Sequence, residues 1–348
     1  MKYSRFFLSI FILLSTISLI SCKNEDPTPS TSTTTTDFVK GADIGWLEQM
    51  EATGYTFYDS YGTQKECLDI LKEKGINTIR LRVWVNPSND KTNGHCSKKG
   101  VATMALRAKN KGFRIMIDFH YSDSWADPGK QTKPAAWANH TFSQLLDDVY
   151  NHTYNVLDTL KQIGVTPEWI QVGNEIPGGI LWPDGSTNNW PQLAQLLNKG
   201  YDAAKAIDTN IKVIIHLDQG NNNSRFRTFF DKADYYKVQY DVIGLSYYPY
   251  WLNEDYTESI NDLGNNMIDI TSRYGKEVMI VEVGGEDTEA LNTYNMLLAV
   301  QTKVKSVPNS KGLGVIYWEP EGARSWSGYS LSAWNDDGKP TIALDAFK

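Results

Sequence analysis

Cysteine and histidine, the residues that most often bind zinc and related metals, are scarce in this sequence of 348 residues. There are three cysteines and five histidines, and neither Cys67 nor Cys96 has a second sulfur or a histidine at the spacing that zinc sites use. Positive charge is not in excess either, because the formal net charge is −7. Binding nucleic acid requires a basic surface that neutralises phosphates. We therefore predict no metal, no cofactor for the chemistry and no nucleic-acid partner.

One long apolar run stands at the amino terminus, over residues 6–20, after the basic Lys2 and Arg5. It is short for a membrane span and ends in a small residue followed by Cys22. A plain transmembrane anchor is the alternative, but this ending is similar to the bacterial lipoprotein signal, in which the cysteine becomes the lipid-bearing first residue of the mature protein. We predict a signal peptide over residues 1–21 and an exported protein that Cys22 anchors to the outer membrane, at the cell surface.

Two cysteines remain once Cys22 is assigned to the lipid. In an exported protein, two remaining cysteines are expected to pair rather than to stay reduced. The sequence therefore predicts a disulfide between Cys67 and Cys96. The alternative is that Cys67 packs on the apolar face of its own helix.

The folded domain is expected to span residues 38–348, after a solvated tether over residues 22–37 that is rich in Ser, Thr and Pro. Strand-like and helix-like segments alternate within it, which is typical of parallel strands joined by crossover helices. Eight such strands predict a (β/α)8 TIM barrel. An open doubly wound sheet is the alternative, but no glycine-rich phosphate loop follows the first strand. The predicted strands are Val39–Asp43, Thr78–Trp84, Arg114–His120, Trp169–Glu175, Lys212–Asp218, Asp241–Pro249, Val278–Gly284 and Leu313–Pro320.

Helices are predicted between these strands from their apolar faces and their end signals. Thr63 begins a possible capping box, with Gly75 as the stop signal of that helix. The other predicted helices are Val101–Gly112, Ser143–Gly164, Trp190–Ile207, Glu258–Gly275 and Glu289–Val304.

Two glutamates lie at the carboxyl ends of apolar strands, where barrels place their chemistry. Glu175 ends the run that begins at Trp169, and Glu282 lies near the carboxyl end of the run that begins at Val278. Two carboxyl groups that face each other across the barrel mouth are the minimum needed to cleave a glycosidic bond. A retaining enzyme needs them about 5–5.5 Å apart and an inverting enzyme about 6.5–9.5 Å apart, and the sequence leaves both open.

Other polar residues at the strand ends suit this chemistry. Asn174 could bind the 2-hydroxyl of a sugar, a contact that strengthens in the transition state. Arg82 and His120 could orient Glu282 and keep it charged. Glu319 is a rival nucleophile, but its Trp-Glu-Pro context predicts a structural corner. The remaining strand-end residues are Asp43, Trp84, Asp118, His216, Asp218, Tyr247, Tyr248 and Trp318.

Aromatic residues are plentiful, with eleven tryptophans and nineteen tyrosines. Flat rings serve the core, but they also suit a groove that stacks on sugar faces. Trp84, Trp125, Trp182 and Trp318 lie at or after strand ends, and each is either a sugar platform or a core ring. Asp127 and His216 are predicted as hydrogen-bonding scaffold.

The stretch from Asp118 to Pro128, Asp-Phe-His-Tyr-Ser-Asp-Ser-Trp-Ala-Asp-Pro, closely resembles the signature of the family 53 glycoside hydrolases, the endo-β-1,4-galactanases. Further motifs match in family order over nearly all of residues 38–320. They are Gly41-Ala42-Asp43, Arg82-Val83-Trp84-Val85-Asn86-Pro87, Val172-Gly173-Asn174-Glu175, Leu181-Trp182-Pro183, His216-Leu217-Asp218, Ser246-Tyr247-Tyr248-Pro249 and Tyr317-Trp318-Glu319-Pro320.

The resemblance implies a (β/α)8 barrel that hydrolyses β-1,4-galactan chains, the side chains of pectin, with retention of anomeric configuration. It implies that Glu175 is the acid/base and Glu282 the nucleophile. Thr commonly follows the nucleophile in the family, whereas Val283 follows it here. Substrate contacts are expected from Asp43, Arg82, Trp84, His120, Trp125, Asp127, Asn174, Trp182, His216, Asp218, Tyr248 and Trp318.

The partners implied are the galactan chain and, through Cys22, the membrane, and the protein is expected to act as a monomer. Some bacterial relatives carry structural calcium, but the Asp336-Asp337-Gly338 run is too short to predict more than a turn. Two other functions stay open. One is a glycan-binding lipoprotein without catalysis, and the other is a related hydrolase of mannan, xylan or cellulose, since loops on a shared fold set the substrate.

Overall fold

Eight parallel strands close into a barrel in which each strand pairs with its neighbours in chain order. The structure is a computed structural model that describes residue 1, residues 37–88 and residues 96–348. The predicted (β/α)8 barrel is confirmed, and all eight predicted strands are present with modest differences at their ends. They are β1 Val39–Asp43, β2 Thr78–Val83, β3 Arg114–Phe119, β4 Trp169–Val172, β5 Lys212–Leu217, β6 Val242–Tyr247, β7 Glu277–Val283 and β8 Gly312–Trp318.

Helices surround the barrel and connect its strands. The helix predicted from a capping box at Thr63 begins instead at Cys67, with Glu66 as its N-cap. Thr63 is part of a tight turn in which its N–H donates to the Asp59 carboxylate at 2.9 Å. The helices are α1 Leu47–Ala52, α2 Cys67–Glu73, α3 Lys98–Asn110, α4 Phe142–Gln162, α5 Trp190–Ile207, α6 Asn223–Tyr235, α7 Pro249–Leu252, α8 Tyr256–Tyr274, α9 Ala290–Lys305 and α10 Arg324–Ser327.

Helix α6 is an element that the sequence analysis missed. The Asn222 side chain caps it by accepting a hydrogen bond from the N–H of Arg225. Its buried face is mainly aromatic, from Phe226, Phe229 and Phe230, and aromatic residues have only moderate helix propensity. Burial against the barrel therefore decides the conformation of this segment.

Strand alternation divides the side chains between the barrel interior and the surrounding helices. On β2, Ile79, Leu81 and Val83 pack into the core between barrel and helices. Arg80 and Arg82 therefore point into the barrel, and both are buried. Deeper in the interior is a separate apolar cluster, which supports the charged layer above it. Its members are Val39, Met116, Trp169, Ile214, Val242, Met279, Val281, Leu313 and Ile316.

Strand β7 contains a β-bulge just before its carboxyl end. Ile280 pairs with Leu245 on β6, whereas Glu282 pairs with Ser246, so Val281 is an extra residue in the ladder. A bulge changes the direction in which the following side chain points. Glu282 consequently faces the barrel mouth on the same side as Ser246 instead of the helices.

The two cysteines of the barrel do not form the predicted disulfide. Cys67 is buried in α2, in the core between helix and barrel. Cys96 is buried next to the second strand, where its carbonyl accepts the N–H of Trp84 at 2.8 Å. The prediction rested on the number of cysteines in an exported chain and carried no information on their positions. The packing alternative for Cys67 is the correct one.

The predicted signal peptide, the lipid-bearing Cys22 and nearly all of the tether lie outside the described residues. None of the helices that the structure describes is long and apolar enough to cross a membrane. Residues Phe38–Lys348 form one compact unit.

Candidate active site

A cleft of about 530 Å³ opens at the carboxyl ends of the barrel strands. Both predicted catalytic glutamates line it, together with residues from the ends of β3 to β8. Of the predicted substrate-binding residues, Asp43, Arg82, Trp84, Trp182 and His216 do not line it. The lining residues are His120, Trp125, Ala126, Asp127, Pro128, Asn174, Glu175, Asp218, Gln219, Asn221, Ser246, Tyr248, Trp251, Leu252, Glu282, Trp318 and Tyr329.

Glu175 is held in the cleft by an unusual backbone conformation and by its neighbours. Its φ is +44°, in the left-handed region that residues other than glycine rarely adopt. The buried Gln131 amide donates to the carbonyls of Asn174 at 2.9 Å and Glu175 at 3.3 Å. The Ser246 hydroxyl donates to a Glu175 carboxylate oxygen at 2.6 Å. These contacts fix the carboxyl group at the side of β6.

A hydrogen-bonded chain behind Glu175 determines the protonation of His216. Burial, with the positive charge of Arg80, lowers the pKa of His216 well below its usual range, so the ring is neutral. The Ser246 hydroxyl gives its proton to Glu175, so His216 Nε2, 2.7 Å from that hydroxyl, is the donor. His216 Nδ1 then accepts from the Gln171 amide at 2.8 Å and the Glu175 N–H at 3.3 Å. His216 is scaffold, as the sequence predicted.

Glu282 is paired with Arg80, and not with Arg82 or His120 as the sequence analysis expected. The Arg80 guanidinium is 2.9 Å from a Glu282 carboxylate oxygen. It also contacts Asp43 at 2.6 Å and Asp118 at 2.9 Å. The Tyr248 hydroxyl donates to the other oxygen of Glu282 at 3.4 Å.

His120 acts on the loop after β3. Its Nδ1 accepts the N–H of Ala126 at 3.1 Å, and its Nε2 lies 3.0 Å from the Asp118 carboxylate. The ring therefore links the charged centre to the Trp-Ala-Asp-Pro loop that ends in Pro128. Asp118 therefore holds the ring of His120 in place.

The carboxyl groups of Glu175 and Glu282 are close together. One oxygen of each carboxyl group and one ring nitrogen of His216 lie within 4.8 Å of one another. This distance between two oxygens is shorter than the about 6.5–9.5 Å between the carboxyl groups of an inverting enzyme, which leaves room for a water. It agrees with the geometry of a retaining pair.

The two carboxyl groups compete for one proton. Burial raises the pKa of Glu175 to about 7. The negative charge of Asp218 adds to this rise, whereas the hydrogen bond from the Ser246 hydroxyl lowers the pKa. Burial also raises the pKa of Glu282, against the opposing charge of Arg80. The direct contact with a guanidinium favours the charge on Glu282, whereas Glu175 is bonded to a neutral hydroxyl. These contacts favour the shared proton on Glu175.

Arg82 belongs to a second charged group under the aromatic wall of the cleft. It forms a short ion pair with Glu319, whose carboxylate also accepts the N–H of Trp46. Its guanidinium lies 4.3 Å from the centre of the Trp125 ring. Glu319 is buried away from the cleft, which agrees with a structural corner and argues against the rival nucleophile.

The four tryptophans that the sequence left undecided divide into two pairs. Trp125 and Trp318 line the cleft, with ring centres 5.7 Å apart in an edge-on arrangement. Trp84 is fully buried and is a core ring. Trp182 packs over Gly178, to whose carbonyl its indole N–H donates at 2.8 Å.

Other predicted contacts are held in place for a role in the cleft. Arg225 binds the Asp218 carboxylate through two hydrogen bonds of 2.8 and 2.6 Å. Asn174 uses one hydrogen of its amide for the Ala126 carbonyl at 2.8 Å and accepts from Arg80 at 3.1 Å. A second hydrogen on the same amide remains for a ligand.

Several residues of the site were missed from the sequence, and one could have been found there. Arg80 is two positions before Arg82 and therefore faces the same side of β2. The sequence assigned no role to Ser246 or Trp251. The role of Ser246 depends on its contact with Glu175, which follows a different strand, and that of Trp251 depends on its exposure. Val283 departs from the family pattern but is buried in the core behind the barrel and does not line the cleft.

Two features that could suggest a metal have protein partners instead. Glu175, Glu282 and His216 are close enough to hold an ion, but both ring nitrogens of His216 are used by protein groups. At the predicted turn, the Asp336 carboxylate accepts a hydrogen bond from the N–H of Ser325, and the Asp337 carboxylate forms an ion pair with Lys339. The expectation that the chemistry requires no metal stays a prediction.

The sequence profile described as Glycosyl hydrolase family 53 matches residues 39–347. The chain belongs to this family. The resemblance that the motifs indicated is confirmed, and the protein is a glycoside hydrolase.

Named relatives of this family-53 hydrolase match over most of its length. The endo-beta-1,4-galactanase of Bacillus subtilis (strain 168) is 32% identical over 309 residues, which cover 82% of this chain and 70% of that protein. The arabinogalactan endo-beta-1,4-galactanase of Humicola insolens is 33% identical over 302 residues, which cover 81% of this chain and 89% of that protein. Among solved structures, the Ignisphaera aggregans GH53 catalytic domain has a TM-score of 0.83 and 32% identity, and the match covers 90% of this chain and 96% of that one.

Proposed function

We propose that this family-53 hydrolase is a retaining endo-β-1,4-galactanase that acts on galactan and on the type I arabinogalactan side chains of pectin. The observation that carries the proposal is the close pair of Glu175 and Glu282, with Arg80 on one member and a neutral hydroxyl on the other. The galactanase names of the relatives that match over most of the chain support the substrate.

The first step transfers the retained half of the galactan chain to Glu282. The ionised Glu282 carboxylate attacks the anomeric carbon, and the bond from that carbon to the glycosidic oxygen breaks. Glu175 gives its proton to this oxygen, so the other half of the chain leaves as an alcohol. The products of the step are a glycosyl ester on Glu282 and an ionised Glu175.

The second step releases the sugar. Glu175 now takes a proton from a water molecule, whose oxygen attacks the anomeric carbon. The ester bond to Glu282 breaks, and the site returns to its starting protonation. Arg80 stabilises the Glu282 charge that reappears, because its guanidinium is already 2.9 Å away.

Loss of either carboxyl group should abolish hydrolysis of unbranched β-1,4-galactan. We expect kcat/KM to fall by about 10³ or more for Glu175→Ala and for Glu282→Ala, as measured by the release of reducing ends. Glu277→Ala is the matched control, because Glu277 lies at the opposite end of β7 and pairs with Lys212. A parent enzyme that binds galactan without cutting it, or cuts only mannan, xylan or cellulose, would contradict the proposal.

The two variants should also differ from each other on the β-fluoride of galactobiose. Fluoride leaves without protonation, so Glu175→Ala should still form the glycosyl ester on Glu282. This variant lacks the base that activates water for the second step. Added azide needs no base, so it should attack the ester and release β-galactobiosyl azide. Glu282→Ala should give no β-azide product. Identical behaviour of the two variants would show that the assigned roles are wrong.

The pH dependence of kcat/KM should follow the protonation of Glu175. Activity is expected to fall above pH of about 7, because burial raises the pKa of Glu175 to about 7 and the deprotonated group is no acid. Ser246→Ala removes a hydrogen bond to the carboxylate, which raises this pKa and should move the alkaline limb to higher pH. Ser259→Ala, a buried serine bonded to Tyr247, is the control. An alkaline limb that stays in place in Ser246→Ala would exclude Glu175 as the titrating acid.

We further propose that the enzyme acts as a monomer and that lipidated Cys22 tethers it to the outer membrane. The apolar run over residues 6–20 and the cysteine that follows it support the membrane anchor. Cys22→Ser should lose radiolabelled fatty acid and move from the membrane fraction to the soluble fraction of the producing cells. Cys67→Ser should leave both unchanged. Equal labelling of the Cys22 variant and the parent would disprove the anchor.

A further inference from the structure

The cleft has two ends that differ in structure. In the closed barrel, β5 and β6 lie between β4 and β7 on one side, and β8, β1, β2 and β3 lie between them on the other. Glu175 follows β4 and Glu282 lies one residue before the end of β7, so a sugar chain that passes between the two carboxyl groups extends toward both ends of the cleft. Trp125, Trp318 and Tyr329 line the end near β8 and β3, and Asp218, Gln219, Asn221, Trp251 and Leu252 line the end near β5 and β6.

Trp251 is a large aromatic side chain that the fold leaves exposed at this second end. Its relative exposure is 61%, and its ring packs edge-on against Tyr250 with ring centres 4.7 Å apart. Burial of an aromatic ring is strongly favourable, so an exposed ring on the wall of a cleft indicates a ligand-binding surface. The cleft that it lines is the one that contains both catalytic glutamates.

The short helix α7 fixes Trp251 relative to the nucleophile. The helix begins directly after Tyr248, whose hydroxyl reaches Glu282, and the Trp251 N–H donates to the Tyr248 carbonyl at 3.2 Å. Asn253 ends the helix in the left-handed conformation, with φ +55°. The ring is thus held by the same segment that contacts the catalytic pair.

Polar side chains accompany the Trp251 ring at this end of the cleft. Asp218 is oriented by its two hydrogen bonds to Arg225, and Gln219 and Asn221 follow it in the same loop. A sugar has an apolar ring face and an edge of hydroxyl groups. An exposed indole together with an anion and two amides matches both features of a sugar ring.

The positions of the two carboxyl groups indicate which half of the chain reaches this end. Ser246 on β6 binds Glu175, so the acid is held on the β5 and β6 side, while Arg80 on β2 holds Glu282 from the other side. The acid protonates the oxygen that departs with the leaving half. We propose that Trp251 is the platform on which the leaving half of the galactan chain stacks during cleavage, with Asp218, Gln219 and Asn221 as its polar partners; this inference rests on the proposed galactanase activity.

The test compares two substrates in the parent enzyme and in Trp251→Ala. Galactan fills both ends of the cleft, whereas the β-fluoride of galactobiose has no sugar in its leaving group. We expect kcat/KM on galactan to fall about tenfold in Trp251→Ala, and the loss on the fluoride to be smaller by a factor of about five or more. Trp251→Phe, which keeps a flat ring, should recover most of the galactan activity.

Tyr235→Ala is the matched control. Tyr235 is also a strongly exposed aromatic residue, with 72% exposure, but it ends α6 and does not line the cleft. Loss of this ring should change kcat/KM on either substrate by no more than about twofold, the range expected for surface substitutions away from any site.

Equal losses on both substrates, or no loss on galactan, would overturn the assignment of Trp251 to the leaving half. A parent enzyme inactive on both substrates would instead contradict the proposed function. A parent that is active on both, with an unaffected Trp251→Ala, contradicts this inference alone.

Discussion

The contact of one buried guanidinium group with three carboxylates is the interaction on which the centre of this barrel depends. Arg80 from β2 binds Asp43 from β1, Asp118 from β3 and Glu282 from β7, and it has no solvent exposure. Taking such charges out of water costs several kcal/mol per ion unless each is paired and hydrogen-bonded. One terminal nitrogen of the guanidinium meets Asp43, and the other meets Asp118 and Glu282. The same contact that stabilises the interior also keeps the charge on Glu282.

A division of labour between two arginines follows from the alternation of β2. Arg80 contacts Glu282 of the proposed catalytic pair, whereas Arg82, two residues later, pairs with Glu319 and supports the ring of Trp125. Glu321 lies beside this second pair, and burial and the neighbouring Glu319 raise its pKa well above its usual range. The reacting carboxylate and the aromatic wall of the cleft are therefore each fixed by an arginine of their own.

The strands, the barrel and the two opposed glutamates were predictable because they depend on local periodicity and on the rule that barrels place polar groups at the carboxyl ends of strands. Which of Arg80 and Arg82 pairs with Glu282 was not predictable. Both side chains point to the same face of the strand, and the pairing depends on their depth inside the barrel. Glu282 reaches the mouth through a bulge that appears only when β6 and β7 are paired. The chain from His216 through Ser246 to Glu175 joins three strands, and the positions of Cys67 and Cys96 depend on packing. Such contacts between distant segments leave no pattern in the sequence.

In the proposed mechanism, Glu282 attacks the sugar while Arg80 holds its charge and Glu175 holds the proton. The most direct measurement is mass spectrometry of the enzyme after incubation with 2-deoxy-2-fluoro-galactobiosyl fluoride, whose 2-fluoro group slows release of the glycosyl ester. We expect a mass increase of one fluorogalactobiosyl group, located on the peptide that contains Glu282. An adduct on Glu319 or Glu175, or complete turnover of the reagent without any adduct and with inversion of the anomeric carbon, would contradict it.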